Sequence, residues 1–222
     1  MKIAGWALIA CLLPSAALAG LSSSERKSEF EKALSLVLSA ALPNLPAASR
    51  EQRIKDYQEA KENKAQAIEP VGGNTWRSIN HESRDVVGQR TLEGCQIRYN
   101  LPCALIAINE EIASEGAIVS KPMERVAYAG KFDAQKIPAI RLALRNRADV
   151  QNYDRAMLPK AMAIHPQGRL YIAAGNATLK DAEASALASC NGDPSRKGRD
   201  GPCYLYAVNN DVVLAQRLRT AE

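Results

Sequence analysis

The sequence predicts an α+β fold: two tandem disulfide-stapled repeats of β-hairpin, helix and strand, preceded by N-terminal helices. Three observations predict it. The chain writes nearly the same phrase twice, "PCALIAINEEI" at 102–112 and "PCYLYAVNNDVV" at 202–213. Extended backward, "KAQAIEPVGG" at 64–73 matches "KAMAIHPQG" at 160–168, and "TLEGC" at 91–95 matches "ALASC" at 186–190. Finally, the chain opens on a stretch that reads as an export signal, which makes disulfides admissible.

That stretch is "MKIAGWALIACLLPSAALAG". Lys2 supplies the basic start and Ile3–Leu13 the apolar run. Pro14 breaks the run, and Ala17-Leu18-Ala19 is a small-x-small cleavage site. Cleavage is expected between Ala19 and Gly20, giving a signal peptide over 1–19 and a periplasmic or secreted protein. "LIAC" at 8–11 offers a lipoprotein signal as the alternative. No later segment reaches the roughly 18 apolar residues of a membrane span. Removal of Lys2 lowers the net charge of +5 by one. The exported setting and the 5% aromatic content argue against nucleic acid as a partner.

Residues 20–50 read as an N-terminal helical segment, with Phe30, Leu34, Val37 and Ala41 on one stripe of a helix over 23–41. A charged helix is expected to follow Pro46 over 47–66. The first repeat spans 51–115, a connector 116–136, and the second repeat 137–222. In each repeat Tyr57 or Tyr153 stands seven residues before Lys64 or Lys160. The apolar stretches around Pro166-Gln167-Gly168, and around Glu69-Pro70-Val71-Gly72, predict β-hairpins. Ser83 and Thr178 then suit helix N-caps. Val87, Thr91, Leu92 and Cys95 fall on one helical face, as do Ala182, Ala186, Leu187 and Cys190. In the closing strand the shared residues alternate. Cys103, Leu105, Ala107 and Asn109 are therefore expected to face the helix, and likewise Cys203, Leu205, Ala207 and Asn209. "RVAYAGKF" in the connector reads as a strand, and 137–150 as a helix opening the second repeat.

Of five cysteines, Cys11 leaves with the signal. The remaining four allow three pairings. The duplication favours pairing within each repeat, Cys95–Cys103 and Cys190–Cys203. A closed loop of this length is worth about 2–3 kcal/mol in the chain-entropy model.

No catalytic motif emerges. There is no C-x-x-C and no G-x-S-x-G, and His81 and His165 align with Asn176 and Glu69 rather than with each other. No metal site or cofactor is implied. Glu110, Glu111 and Glu115 could pair for glycoside cleavage, but a solvated acidic loop is the plainer reading. Candidate binding residues are Arg196, Lys197 and Arg199 in the insert "DPSRKGRDG", Tyr204 and Tyr206 in the last strand, and the matched Lys64 and Lys160. For the lysines the plainer reading is a demand of the fold.

The pattern "KAMAI…G…ALASC…PCYLYAVNNDVV" resembles a motif in exported, periplasmic proteins of Gram-negative bacteria. The resemblance covers both repeats but not the N-terminal helices. It implies the periplasm or the outer face of the envelope and carries over no activity. The expected role is non-enzymatic binding of a protein or envelope component, as in inhibitor or immunity-type proteins. The alternative is a hydrolase acting on cell-wall or other envelope material.

Overall fold

The computed structural model describes residues 22–113, 128–195 and 201–219. The expected signal peptide lies outside them, as does most of the connector. Helix α1 (Ser23–Ala41) begins at a capping box in which Ser22 and Glu25 exchange bonds. Its stripe of Phe30, Leu34, Leu38 and Ala41 is buried. Helix α2 (Ala47–Gln58) adds Ile54 and Tyr57 to the same core. It stops well short of residue 66. The Lys64 ammonium folds back onto the carbonyls of Gln58 and Ala60, and Asn63 turns the chain at φ +51°.

Strands β1 (Ala65–Glu69) and β2 (Asn74–Ser78) form the first hairpin. Helix α3 (Arg84–Tyr99) follows with Ser83 as its N-cap. Strands β3 (Ala104–Ile108) and β4 (Glu111–Ile112) complete an antiparallel sheet of order β2-β1-β3-β4. After β5 (Gly130–Lys131), the stretch expected to be one helix over 137–150 is broken. Two single turns, α4 (Leu142–Arg145) and α5 (Ala148–Gln151), form instead. Pro138 and Ala139, the latter at φ +59°, block a continuous helix, and Ile137 and Ile140 are driven into the core.

The second hairpin is β6 (Lys160–His165) and β7 (Arg169–Ala174), closed by Gly168 N–H donating to His165 O at 2.9 Å. Then come α6 (Leu179–Asn191), capped by Thr178, and strands β8 (Tyr204–Val208) and β9 (Asp211–Val212). Helix α7 (Leu214–Arg219) follows β9. This sheet is also antiparallel, of order β5-β9-β8-β6-β7. The chain is thus mixed α and β, with seven α-helices among the described residues, two antiparallel sheets and two disulfides. Cys95 bonds Cys103 and Cys190 bonds Cys203, with Cα–Cα distances of 6.2 and 6.1 Å. No helix of the described residues is long and apolar enough to cross a membrane.

Each sheet is covered on both faces. Helices α1 and α2 pack on one face of the first sheet, around Ile68 and Ile106. Helix α3 packs on the other, around Ala67, Trp76 and the Cys95–Cys103 bond. Helix α6 covers one face of the second sheet with Ala182 and Ala186 on Ala161, Ala163 and Leu205. The opposite face holds the largest core, where Met162, Ile164 and Tyr206 meet Tyr153, Leu214 and Ile97. Ile97 belongs to α3, so that helix packs on both sheets.

One expectation about the closing strands fails. Alternation puts Ala107 and Ala207 on the helix face. A β-bulge leaves Ile106 unpaired between Leu105 and Ala107, and another leaves Tyr206 between Leu205 and Ala207. The extra residue reverses the phase of the pleat. Ala107 therefore joins Ile106 under α1 and α2, and Ala207 joins Tyr206 in the large core. Leu105 and Cys103 stay against α3. Asn109 and Asn209 serve the backbone instead, each turning the chain at φ +50°.

Candidate binding face

The matched lysines are interior. Lys64 is 5% exposed and Lys160 fully buried. Lys160 Nζ donates to the carbonyls of Tyr153 (2.5 Å), Asp154 (2.8 Å) and Ala156 (3.3 Å) and lies 4.9 Å from the Tyr153 ring centre. Lys64 Nζ donates to Gln58 O and Ala60 O and lies 5.1 Å from the Tyr57 ring. Each lysine thus neutralises the carbonyl end of a preceding helical turn. Its own backbone is clasped as well. Lys64 N–H donates to Asn109 Oδ1 at 3.1 Å, and Lys160 N–H to Asn209 Oδ1 at 3.3 Å. Burial pushes both ammonium groups below the ordinary lysine range. Neither ammonium is presented to a ligand.

The turn residues Glu69 and His165 are also consumed internally. Glu69 accepts from Val71 N–H at 2.6 Å, Gly72 N–H and Asn74 Nδ2, and His165 Nδ1 accepts from Gln167 N–H at 3.2 Å. His81 is packed beside Glu82, and burial followed by Arg141 lowers its pKa. Of the acidic loop, Glu111 pairs with Arg84, Glu110 is exposed, and Glu115 lies outside the described residues. Among the described residues no cluster of His, Cys, Asp or Glu is placed to hold a metal ion.

Tyr206 is 3% exposed and packs edge-on against Phe132, while Tyr204 is half-buried beside the same core. The bulge that fixes Ala207 draws Tyr206 inward, so it offers no surface to a partner. Arg196, Lys197 and Arg199 lie outside the described residues, but both ends of their loop are inside. At its start, Asp193 accepts from the Tyr171 hydroxyl, from Ser195 Oγ (2.6 Å) and from Ser195 N–H (2.8 Å), and pairs with Arg169. The Ser195 and Tyr171 hydroxyls hold its carboxyl down at about 2. At its end, Cys203 N–H donates to Asn191 Oδ1 at 3.0 Å. Gly201 packs so closely on Arg98 that a Cβ there would lie 2.7 Å from the guanidinium carbon.

Two features have no signal in the sequence. A groove of about 470 Å³ runs between α3 and β3, floored by Gly88, Leu92, Leu105 and Ile108. Arg53 and Tyr99, from α2 and the end of α3, converge on Thr75 of β2, with Arg98 beside Tyr99. Arg53 Nη1 donates to Thr75 Oγ1 at 2.8 Å and the Tyr99 hydroxyl to Thr75 O at 2.9 Å. The Arg98 guanidinium stacks 5.7 Å from the Tyr99 ring centre. No short motif marks this cluster, because its members come from three elements. Compared with known proteins, the chain matches no family model, no curated protein and no solved structure.

Proposed function

We propose that this chain is an exported, non-catalytic binding protein of the bacterial envelope, built by duplication of one disulfide-stapled unit. The matched contacts support the duplication: Lys64 and Asn109 exchange the same main-chain clasp as Lys160 and Asn209, and each lysine lies over the tyrosine seven residues before it. The two disulfides fit an oxidising compartment.

One observation carries the binding role. The loop that distinguishes the second unit is pinned at both ends, by Asp193 with Tyr171 and by the Cys190–Cys203 bond beside Asn191. A loop with fixed ends loses less entropy on binding than a free one. Its Arg196, Lys197 and Arg199 would add salt-sensitive attraction to an acidic partner.

The test is affinity capture from a periplasmic extract by the immobilised chain, with mass spectrometry of what is retained. Wild type retains a partner at low salt, and R196S/K197S/R199S retains less. Equal capture by a folded variant removes the loop from the site. Retention no better than bare resin overturns the binding role.

A further inference from the structure

Five arginines are bonded to carboxylates: Arg84 to Glu111, Arg90 to Glu93, Arg147 to Asp149, Arg169 to Asp193 and Arg217 to Glu183. Three that are not lie together at β2. Among the described residues Arg53 bonds only the Thr75 hydroxyl, Arg98 stacks on Tyr99 against Gly201, and Arg77 is exposed on β2 itself. Among the described residues none of the three meets an acidic side chain. Arg53 and Arg98 are half-buried, and no carboxylate among the described residues pairs with them.

Their geometry has a direction. Ile68 pairs with Thr75 and Gln66 with Arg77 across the hairpin, so Thr75 and Arg77 share one face of β2. The Arg53 guanidinium sits at Thr75, and Arg77 lies two residues on, roughly 7 Å along the strand. Two cations at that interval match carboxylates at alternate positions of an extended chain. Arg98 and Tyr99 stand on the α3 side of the same strand. β2 is also an edge: among the described residues no strand pairs with its outer side. The second sheet's edge strand, β7, differs. Its Arg169 is neutralised by Asp193, and its Leu170 carbonyl accepts from Arg147 Nη1 at 3.3 Å.

We infer that the β2 edge receives an extended acidic segment of a protein partner, its alternate carboxylates meeting Arg53 and Arg77 while Arg98 meets another from the α3 side. This rests on the reading of the chain as a binding protein and gives that reading a surface. The Tyr99 hydroxyl already takes the Thr75 carbonyl, so the segment is held by guanidinium–carboxylate pairs rather than by a full backbone ladder. A phosphate ion would engage one of the three arginines without using their spacing.

The test is fluorescence anisotropy with a short labelled peptide alternating Glu and Thr. The comparison probes are a block-ordered peptide of the same composition, inorganic phosphate as competitor, and vesicles containing anionic lipid. The alternating peptide binds wild type at low salt, and R53S/R77S/R98S binds it at least about tenfold more weakly. K32S/K131S/K136S, which removes equal charge from exposed positions, changes affinity by less than about twofold. R77S leaves the fold intact, because Arg77 is exposed, and weakens binding by about threefold or more on its own. Wild-type affinity in R77S overturns the proposal. So does equal loss in both triple variants, equal binding of the block-ordered peptide, or binding of phosphate or vesicles without the peptide. If a partner captured from extract binds R53S/R77S/R98S as well as wild type, the binding role survives and this surface falls.

Discussion

Replacing Lys160 with Met tests whether the matched lysines belong to the fold. The side chain keeps its length and its packing on Tyr153 but loses the ammonium. Three carbonyls lose a donor. Tyr153 O retains one, since Ala156 N–H also donates to it at 3.2 Å. Asp154 O and Ala156 O are left without their ammonium contact, at about 1–3 kcal/mol each. Against this stands relief from burying a charge, which costs several kcal/mol per ion when unpaired and less when hydrogen-bonded. The net expectation is a loss of about 2–3 kcal/mol. That lowers Tm by about 4–12 °C for a chain of this size. Lys64 has two carbonyl partners and slight exposure, so K64M loses less. The assay is urea and thermal unfolding of both variants beside wild type. The pH dependence adds a signature. Because burial lowers the Lys160 pKa, the folded chain releases this proton while the unfolded chain still holds it. Wild-type stability therefore gains on K160M as pH rises towards the unfolded lysine value of about 10.4. A K160M protein as stable as wild type would refute the clasp, and so would a gap that does not widen with pH.

Three further outcomes follow from packing and charge. Gly94→Ala puts a Cβ 2.6 Å from Trp76 Nε1 and 2.9 Å from the Pro166 carbonyl oxygen, so it destabilises by about 1–3 kcal/mol despite alanine's helix propensity. Gly88→Ala, whose Cβ meets only the flexible ends of Leu105 and Ile108 at 3.2–3.3 Å, is neutral or stabilising in the same melts. Glu93→Ala strips the partner from Arg90 and the acceptor from Ala139 N–H, both at 2.7 Å, and costs about 3 kcal/mol by urea unfolding. Asp193, held at about 2, keeps its anchoring above the unfolded aspartate value of about 3.9 and loses it as pH falls through about 2. NMR titration of Tyr171 and Ser195 follows that loss, and D193N abolishes it.

The legible features are those written as local chemistry. Proline and glycine at the hairpin turns, Ser83 and Thr178 as caps, and the paired Pro-Cys phrases each carry their meaning within a few residues. The closing strands mislead because alternation assumes an unbroken pleat, and nothing in "CALIAIN" or "CYLYAVN" announces a bulge. Asn109 and Asn209 are identical for a backbone reason, the left-handed turn, that a face argument cannot detect. Lys64 and Lys160 are visible as a matched pair, but their partners are main-chain carbonyls, which every residue possesses. Arg53, Arg77 and Arg98 cannot be grouped from the sequence at all. They stand on α2, β2 and α3, and only the packing of those elements brings them to one strand.

Helix α3 and helix α6 are engaged differently. Helix α3 packs Val87, Thr91 and Cys95 towards the first sheet, and turns Glu93, Gly94 and Ile97 towards the second half of the chain. Both long faces are therefore committed, and a residue as small as Gly94 is needed where Pro166 comes close. Helix α6 has only its inner face committed. Ala184, Ser185, Ala188 and Ser189 on its outer face are exposed. Sheet edges carry the opposite asymmetry. In the second sheet Asp193 neutralises the edge arginine and ties down the loop, whereas at β2 no acid among the described residues plays that part. A carboxylate from outside would give Arg53, Arg77 and Arg98 the partner that no acid among the described residues supplies. The proposed acidic segment would meet its cations at the β2 edge, and Gly201, resting on Arg98, brings the end of the disulfide-closed loop to the same side.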